Sequence, residues 1–528
     1  MKNSNRVPIY LGMAVAIGIL MGSFLDFENK SGSVFSDSPE ESKIKRLINF
    51  IKYDYVDEVN TDILLDGAIN NIIGKLDPHS VYFTQEQLQL ETEELQGNFV
   101  GIGVQFRIYQ DSVMVIQVLE GGPSEKVGLL AGDRILTSNQ DTLSGVNLRN
   151  NDVMRILKGE PDTGIDLGIY RRTTDSVMNF SITRGDVPIK SVTSHYMINE
   201  EVGYIKLERF AMTSYDEFKV ALDDLIEKGM TTLTLDLRDN GGGFMNIANQ
   251  IADEFLKDDA LIVFTKNKRG DVNKDFASST GNFEDGKVYI LINENSASAS
   301  EIIAGALQDN DRGTIIGRRS FGKGLVQQTM GLGDGSAIRL TVARYYTPTG
   351  RSIQKPYNLS KSKEYYANFD KRYLSGELVS KDSIKVNDSL KYTTPKGKVV
   401  YGGGGIVPDK FVGIDTAQYI PSRYLLKLRN FSFDYVDNHR IIYNSIDLKG
   451  FIDNFDGDEK ILNKFLETMD VVIPVSHDFR NTIRKYLKLT FAQSIFDDNE
   501  YRQVIEKSDL MIETIKELEL SNKKLFLN

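Results

Sequence analysis

Apolar and polar positions follow three different rhythms along this chain. Residues 7–25, VPIYLGMAVAIGILMGSFL, carry no charge over 19 positions. A helix of that length rises roughly 28 Å, close to a bilayer's hydrocarbon core of roughly 30 Å. Lys2 and Arg6 precede the run, and Asp26 and Glu28 follow it. Positive before and acidic after predicts a signal anchor with the remainder of the chain outside the cytoplasm. A cleaved signal peptide is the alternative, although no clear A-x-A site follows. Residues 29–39 read as a polar tether. Over 40–90 the rhythm becomes helical, with Ile44, Leu47, Ile48 and Ile51 on one stripe and Ile63, Leu64, Ala68 and Ile72 on another. Pro78, in LDPHS (76–80), ends it.

From 97 to 185 the pattern is that of short strands. A Gly-rich loop enters a strand at 97–106, a second strand covers 112–119, 153–159 reads as a helix and 164–171 as a strand. Between 200 and 410 long apolar strands alternate with amphipathic helices. VGYIKLERF (202–210), TTLTLDLRDNGGG (231–243) and SAIRLTVARYYTP (336–348) are strands, 214–229 and 246–256 are helices, and KVYILINENSASASEIIAGALQDN (287–310) reads as strand, turn, helix. This alternation predicts a layered α/β core. Residues 360–400, rich in Lys, Tyr and Ser, read as an exposed insertion. Residues 415–528 carry helical patterns, and the acidic helix at 503–520 reads as a solvated face.

Composition bounds the chemistry. A chain of 528 residues has room for about three or four domains. With 63 basic and 74 acidic side chains the net charge is −11, which offers nucleic acid no footprint. No cysteine is present, so thiolate nucleophiles, thiolate zinc sites and iron–sulfur clusters are excluded. The histidines are four: His79, His195, His439 and His477. A histidine-dependent triad or metal site would have to be built from these.

Three stretches carry candidate chemistry. Asn295-Ser296-Ala297-Ser298-Ala299-Ser300-Glu301 joins an apolar strand to an apolar helix. A hydroxyl at such a junction stands among the unpaired N–H groups of the helix start, which can stabilise an oxyanion. The same serines could equally be helix caps. Lys323 in FGKGLVQQ (321–328) is flanked by glycines. It becomes a base once desolvation lowers its pKa, and is otherwise a loop lysine. Gly317 and Gly322-Lys323 partly match a phosphate loop, but Gly324 stands where Ser or Thr is required. The glycines of LRDNGGG (237–243) could turn N–H groups toward a reacting atom or form a plain tight turn.

Together these stretches resemble the carboxyl-terminal processing, or tail-specific, peptidases. The match rests on NENSASASEIIAGALQDN (293–310), FGKGLVQQ (321–328), LRDNGGG (237–243), SAIRLTVARYYTPTGRSI (336–353), GGGGIVPD (402–409) and LDPHSVYF (76–83), in order over residues 40–410. The resemblance implies a membrane-anchored envelope serine endopeptidase working through a Ser-Lys dyad. Its expected organisation is a transmembrane helix at 7–25, a helical segment at 40–90, and a PDZ domain at 97–185. A layered, crotonase-like peptidase core follows at 190–410, then a helical extension at 415–528. The resemblance places the nucleophile at Ser298, the base at Lys323 and its orienting amide at Gln327. It adds Asp309 as a supporting acid, with a helix-end ion pair as the alternative, and an oxyanion hole at the N–H groups of Ala299 and a glycine of 241–243, foremost Gly243. A substrate's terminal carboxylate would lie against Phe99, Val100, Gly101, Ile102, Gly103 and Val104. No metal or other cofactor and no nucleic acid is implied. The partners would be protein substrates held by their C-terminal tails, the inner membrane through residues 7–25, and a second copy or an adaptor. Two rival readings stay open: a non-catalytic PDZ adaptor, and a hydrolase assisted by a histidine such as His195.

Overall fold

A computed structural model describes residues 38–358, 365, 367–416, 420–443, 445–455, 459–469 and 477–527. Residues 7–25 lie outside the described residues, and no described helix is long and apolar enough to cross a membrane. The chain divides into two units, 1–71 and 72–528. In the first, helix α1 (Pro39–Asp54) starts with a capping box in which Ser38 and Glu41 exchange hydrogen bonds, and Pro39 occupies its first position. Ile44, Leu47 and Phe50 on this helix are exposed. Helix α2 (Thr61–Ile73) follows.

The second unit opens with the LDPHS loop, which Pro78 keeps out of the helix. Strand β1 (Val81–Phe83) leads into helix α3 (Gln85–Gln96). This helix is capped by Thr84 at one end and by Gly97, in the left-handed region at φ 83°, at the other. A small barrel-like module comes next. Strands β2 (Asn98–Gly101), β3 (Val104–Tyr109), β4 (Ser112–Val118), β5 (Arg134–Ser138) and β6 (Asp141–Thr142) precede helix α4 (Asn150–Leu157). Strands β7 (Gly164–Arg171), β8 (Ser176–Thr183) and β9 (Gly185–Pro188) complete it. Strands β3, β4, β5, β7 and β8 form one sheet and β2 pairs with β9. Ile102, Val113, Val115, Ile135, Val153, Leu157, Leu167 and Ile169 fill its core.

The larger core is a sheet in the order β10 (Val192–Met197), β11 (Val202–Leu207), β12 (Thr232–Asp236), β15 (Lys287–Ile292), β16 (Thr314–Gly317), β19 (Lys410–Phe411). It is parallel from β11 onward. Helices α5 (Ser214–Glu227), α6 (Met245–Asp253) and α7 (Ala299–Asp309) connect its strands. A second, antiparallel sheet contains β1, β18 (Ala337–Tyr346), β13 (Leu261–Asn267) and β14 (Val272–Phe276), with β17 (Leu325–Gly331) also paired to β18. The strand period of two explains the layering. Ile205, Leu235, Ile290 and Ile292 meet the three helices and the second sheet. Tyr204, Tyr289 and Leu291, on the opposite face, meet Met511, Ile512 and Ile515.

That last contact corrects the expectation of a solvated face at 503–520. The final helix, Leu510–Leu527, covers one side of the core sheet. Asp509 pairs with Arg238 at 2.7 Å, and Glu519 pairs with Lys287 and accepts a hydrogen bond from the Tyr289 hydroxyl. Glu519 serves the buried Tyr289 and Met511, Ile512 and Ile515 are core, while Glu513 and Glu517 stay exposed. The rest of the extension is helical, as expected, and has its own core around Leu428, Phe465, Leu487 and Phe491. Its helix Ser422–Asn438 also grips the β-module. Asp437, 2% exposed, pairs with Arg134 and Arg172, and Tyr109 donates to Asp434.

The expectation of an exposed insertion at 360–400 holds over most of 380–399, where Lys381, Asp382, Lys385, Asp388 and Lys396 are exposed, and is corrected for the stretch just before it. Leu378, Arg372 and Glu377 are buried. Glu377 pairs with Arg319 at 2.6 Å, and Arg372 donates to the carbonyls of Arg319 and Ser320. The segment backs the loop that carries Lys323. In that stretch the polar composition misleads because Arg372 and Glu377 pair inside.

Candidate active site

The site forms where the carboxyl edge of the parallel sheet meets the second sheet. A cavity of about 730 Å³ there is lined by Gly241, Gly242, Gly243, Ser298, Ala299, Lys323 and Gln327, among others. The three motifs, which span 86 positions from Gly241 to Gln327, therefore face one space.

Ser298 lies between β15 and α7 with φ 55° and ψ −114°. A non-glycine residue rarely holds this backbone, and such strain persists only where the surroundings impose it. Gly242 packs closely against this residue: a Cβ there would lie 2.8 Å from the Ser298 Cβ and 3.0 Å from the Ala299 nitrogen. Ser296 donates to the Leu237 carbonyl, and Ser300 to the Asn240 carbonyl. These two serines thus fasten the glycine loop to the Ser298 loop, consistent with the turn role read for them.

Gly243, at φ 148°, pairs side by side with Phe210. The Phe210 N–H donates to the Gly242 carbonyl, and the Phe244 N–H to the Phe210 carbonyl. In this alternating geometry the N–H of Gly243 faces away from Phe210. The N–H of Gly242 is already given to the Asn240 side chain. A Cβ on Gly243 would stand 2.3 Å from the Phe210 carbonyl oxygen, so only glycine fits.

Lys323 is half-buried. Burial, with the nearby Arg339 charge, lowers its pKa to about 8. Its amine donates to Gln327 Oε1 at 2.8 Å, and Gln327 Nε2 donates in turn to the His79 carbonyl at 2.5 Å. That second bond decides which end of the Gln327 amide faces the lysine. The register of β17 against β18 shifts between Val326 and Gln327, an irregularity of the kind that re-aims a side chain. The LDPHS loop earns its place here: Asp77 accepts from the N–H groups of His79 and Ser80 and from the Ser80 hydroxyl, holding the His79 carbonyl still. The His79 ring turns to Tyr365, 2.7 Å from its hydroxyl, and burial lowers its pKa to about 4.

Two residues outside the expected set bind the site together. Glu301, wholly buried, accepts from the N–H groups of Ser298 (2.9 Å), Lys323 (2.8 Å) and Gly322 (2.7 Å) and from the Ser320 hydroxyl (2.5 Å). Burial raises its pKa, and the donors around it oppose that rise. Four donors and no acceptor define the pocket of a carboxylate. Tyr345 donates from its hydroxyl toward the carbonyls of Lys323 (2.8 Å) and Ser298 (3.2 Å). The signal for Glu301 was in the sequence, since Ser298-x-x-Glu301 has capping-box spacing; nothing local marks Tyr345.

The structure does not bring Asp309 to the cavity. It ends α7, roughly 16 Å of helix away from Ser298. There it is 1% exposed and pairs with Arg351 at 2.7 Å while accepting from Thr349. This is the helix-end ion pair named as the alternative. His195 sits on β10, 3.4 Å from Asp224 and outside the cavity lining. Among the described residues no group of three or more His, Asp or Glu is placed to hold a metal ion.

A second groove, of about 390 Å³, runs along the β-module. Phe99, Gly101, Ile102, Gly103 and Val104 line it, while Val100 instead pairs with Asp186 in the β2–β9 ribbon.

Comparison with known proteins agrees with this layout. Residues 201–358 match the peptidase family S41, 100–182 a PDZ domain, and 10–87 the activating protease CtpB N-terminal domain. A carboxy-terminal-processing protease of Bartonella bacilliformis is 35% identical over 326 residues, covering 60% of this chain and 74% of that one. The carboxy-terminal processing protease CtpB of Bacillus subtilis is 31% identical over 66% of this chain and 73% of its own. CtpA of the same organism is 32% identical over 63% and 73%. The β-module is thus a PDZ domain and the two-sheet core an S41 peptidase fold, and the chain belongs to the carboxy-terminal processing proteases, which are serine-type S41 peptidases.

Proposed function

We propose that this chain is a cell-envelope endopeptidase that captures substrate C-termini in its PDZ groove and cleaves with a Ser298–Lys323 dyad. The observation that carries the reading is the half-buried Lys323 amine, tethered to Gln327, opening on the same cavity as the strained Ser298. In the neutral form Lys323 accepts the Ser298 proton as the hydroxyl attacks the scissile carbonyl. The resulting oxyanion lies between the N–H groups of Ala299 and Gly243 at the positive end of α7. The Lys323 ammonium then protonates the leaving amine, and water resolves the acyl-enzyme. Residues 7–25 anchor the chain in the cytoplasmic membrane with the peptidase on the outer side, a reading supported by the charge pattern around that run.

The pH dependence tests the base. Only neutral Lys323 can accept a proton, so kcat/KM is expected to rise through about pH 8 and level off above it. A limb at pH 6–7 would instead point to a histidine and overturn the dyad. The oxyanion assignment has its own check. Gly243→Ala drives a methyl into the Phe210 carbonyl and displaces the N–H, lowering kcat by about 10²–10³-fold with little change in KM. An unchanged kcat would remove Gly243 from the hole.

A further inference from the structure

Helix α3 belongs to neither the PDZ domain nor the two-sheet core, yet it walls both cavities. Leu90, Glu93 and Glu94 line the PDZ groove, while Glu91, Glu94 and Leu95 line the catalytic cavity. Glu94 faces both. On the catalytic side Glu91 pairs with Arg339 at 2.7 Å. On the groove side Glu93 pairs with Lys158, which follows the last residue of α4. The Lys158 ammonium also lies 4.9 Å from the centre of the Phe99 ring.

This ion pair stands at the end of the groove where the carboxylate-binding loop is. A Cβ on Gly101 would lie 3.1 Å from the Phe99 ring and 3.6 Å from the Leu157 carbonyl. Loop, ring and lysine therefore converge. Floor and rim differ in character: Ile102, Val104, Phe106, Met154 and Leu157 offer apolar surface, while Lys158, Glu93 and Glu94 carry the charge. The Lys158 and Glu93 side chains remain 27% and 16% exposed. A partly wet pair of this kind contributes little, so it yields readily to a better partner.

We propose that an incoming terminal carboxylate takes Lys158 from Glu93, and that the acids left along α3, Glu93 and Glu94, select tails with a cationic side chain near the terminus. The proposal rests on the tail-capture reading above and adds a substrate class to it. In an extended peptide successive side chains point to opposite sides. The last and third-last residues enter the apolar floor, and the penultimate and fourth-last face the acids. Lys158 keeps its place over Phe99 throughout, since an ammonium can hold an aromatic face and a carboxylate together. Glu94, shared by both cavities, extends the acidic wall along the path from groove to Ser298.

The experiment uses the full chain and substrates that share one scissile segment but differ in their last four residues. Each has an apolar final residue, Lys or Glu in the penultimate position, and either a free carboxylate or a carboxamide. For the unaltered protein, amidation is expected to raise KM about tenfold, and penultimate Lys to lower KM about fivefold relative to Glu, with kcat nearly unchanged. Lys158→Gln should shrink the amidation effect to about threefold or less, and Lys158→Arg should restore it. Glu93→Gln with Glu94→Gln should abolish the Lys-over-Glu preference while the carboxylate dependence stays. If amidation has no effect on the unaltered protein, tail capture itself fails. If amidation matters equally with and without Lys158, or the Lys preference survives loss of both acids, tail capture stands and this proposal falls.

Discussion

Replacing Ser298 by Ala is expected to abolish cleavage of an unfolded substrate with an apolar tail, lowering kcat by at least about 10⁴-fold. Lys323→Ala should lose about as much, and the double variant little more than either alone. The reason is that the two residues act as one unit. Without the hydroxyl there is nothing to acylate, and without the amine the hydroxyl keeps its proton at neutral pH. Among the described residues no histidine lines the cavity, and His79 offers its carbonyl to Gln327 and its ring to Tyr365. Its lowered pKa makes it a poor proton acceptor. Purely additive losses in the double variant would mean that serine and lysine serve separate steps.

The second large effect is expected at Glu301, through its hold on the loops. Glu301→Gln looks conservative, but all four of its partners are donors. An amide presents one accepting oxygen and turns an NH₂ group toward two of those donors. Each buried donor left unpaired costs about 1–3 kcal/mol. The loops carrying Ser298 and Lys323 share the Oε2 atom, so they separate. Misplacement on the scale of an ångström costs about 10²-fold, and kcat/KM should fall by that much or more. A residue with a purely structural role would leave the pH profile alone. Here the Glu301 charge supports the Lys323 ammonium, so its removal lowers the lysine pKa and shifts the rising limb of the residual activity to lower pH. Activity within threefold of the unaltered enzyme, with an unmoved limb, would contradict the account.

How much of this could be read from the sequence depends on where the information lies. Ser298, Lys323 and Gln327 stand in local patterns whose chemistry is visible residue by residue, and the structure puts all three on one cavity. The strand–helix alternation gave the core layers because burial on both faces of a parallel sheet leaves long apolar runs. Failures came where a residue's partner is distant. Asp509 and Glu519 look solvated until Arg238, Lys287 and Tyr289, more than 200 positions earlier, are seen to receive them. The same holds for Glu377, whose partner Arg319 lies 58 positions away. Asp309 matched a motif, but the helix that carries Ser298 at one end carries Asp309 at the other. Glu301 has capping-box spacing from Ser298, but only folding reveals that its carboxylate also reaches the lysine loop.

The central claim, an acyl-enzyme on Ser298 formed with Lys323 as base, is tested most directly by trapping the intermediate. A slowly deacylating substrate is mixed with the enzyme above pH 8, quenched in acid, and the protein is digested and mapped by mass spectrometry. The account predicts one acyl adduct, on the peptide containing Ser298, forming at least about 10³-fold more slowly in Lys323→Ala. An adduct on Ser296 or Ser300 instead, or an unchanged rate of acylation without Lys323, would contradict it.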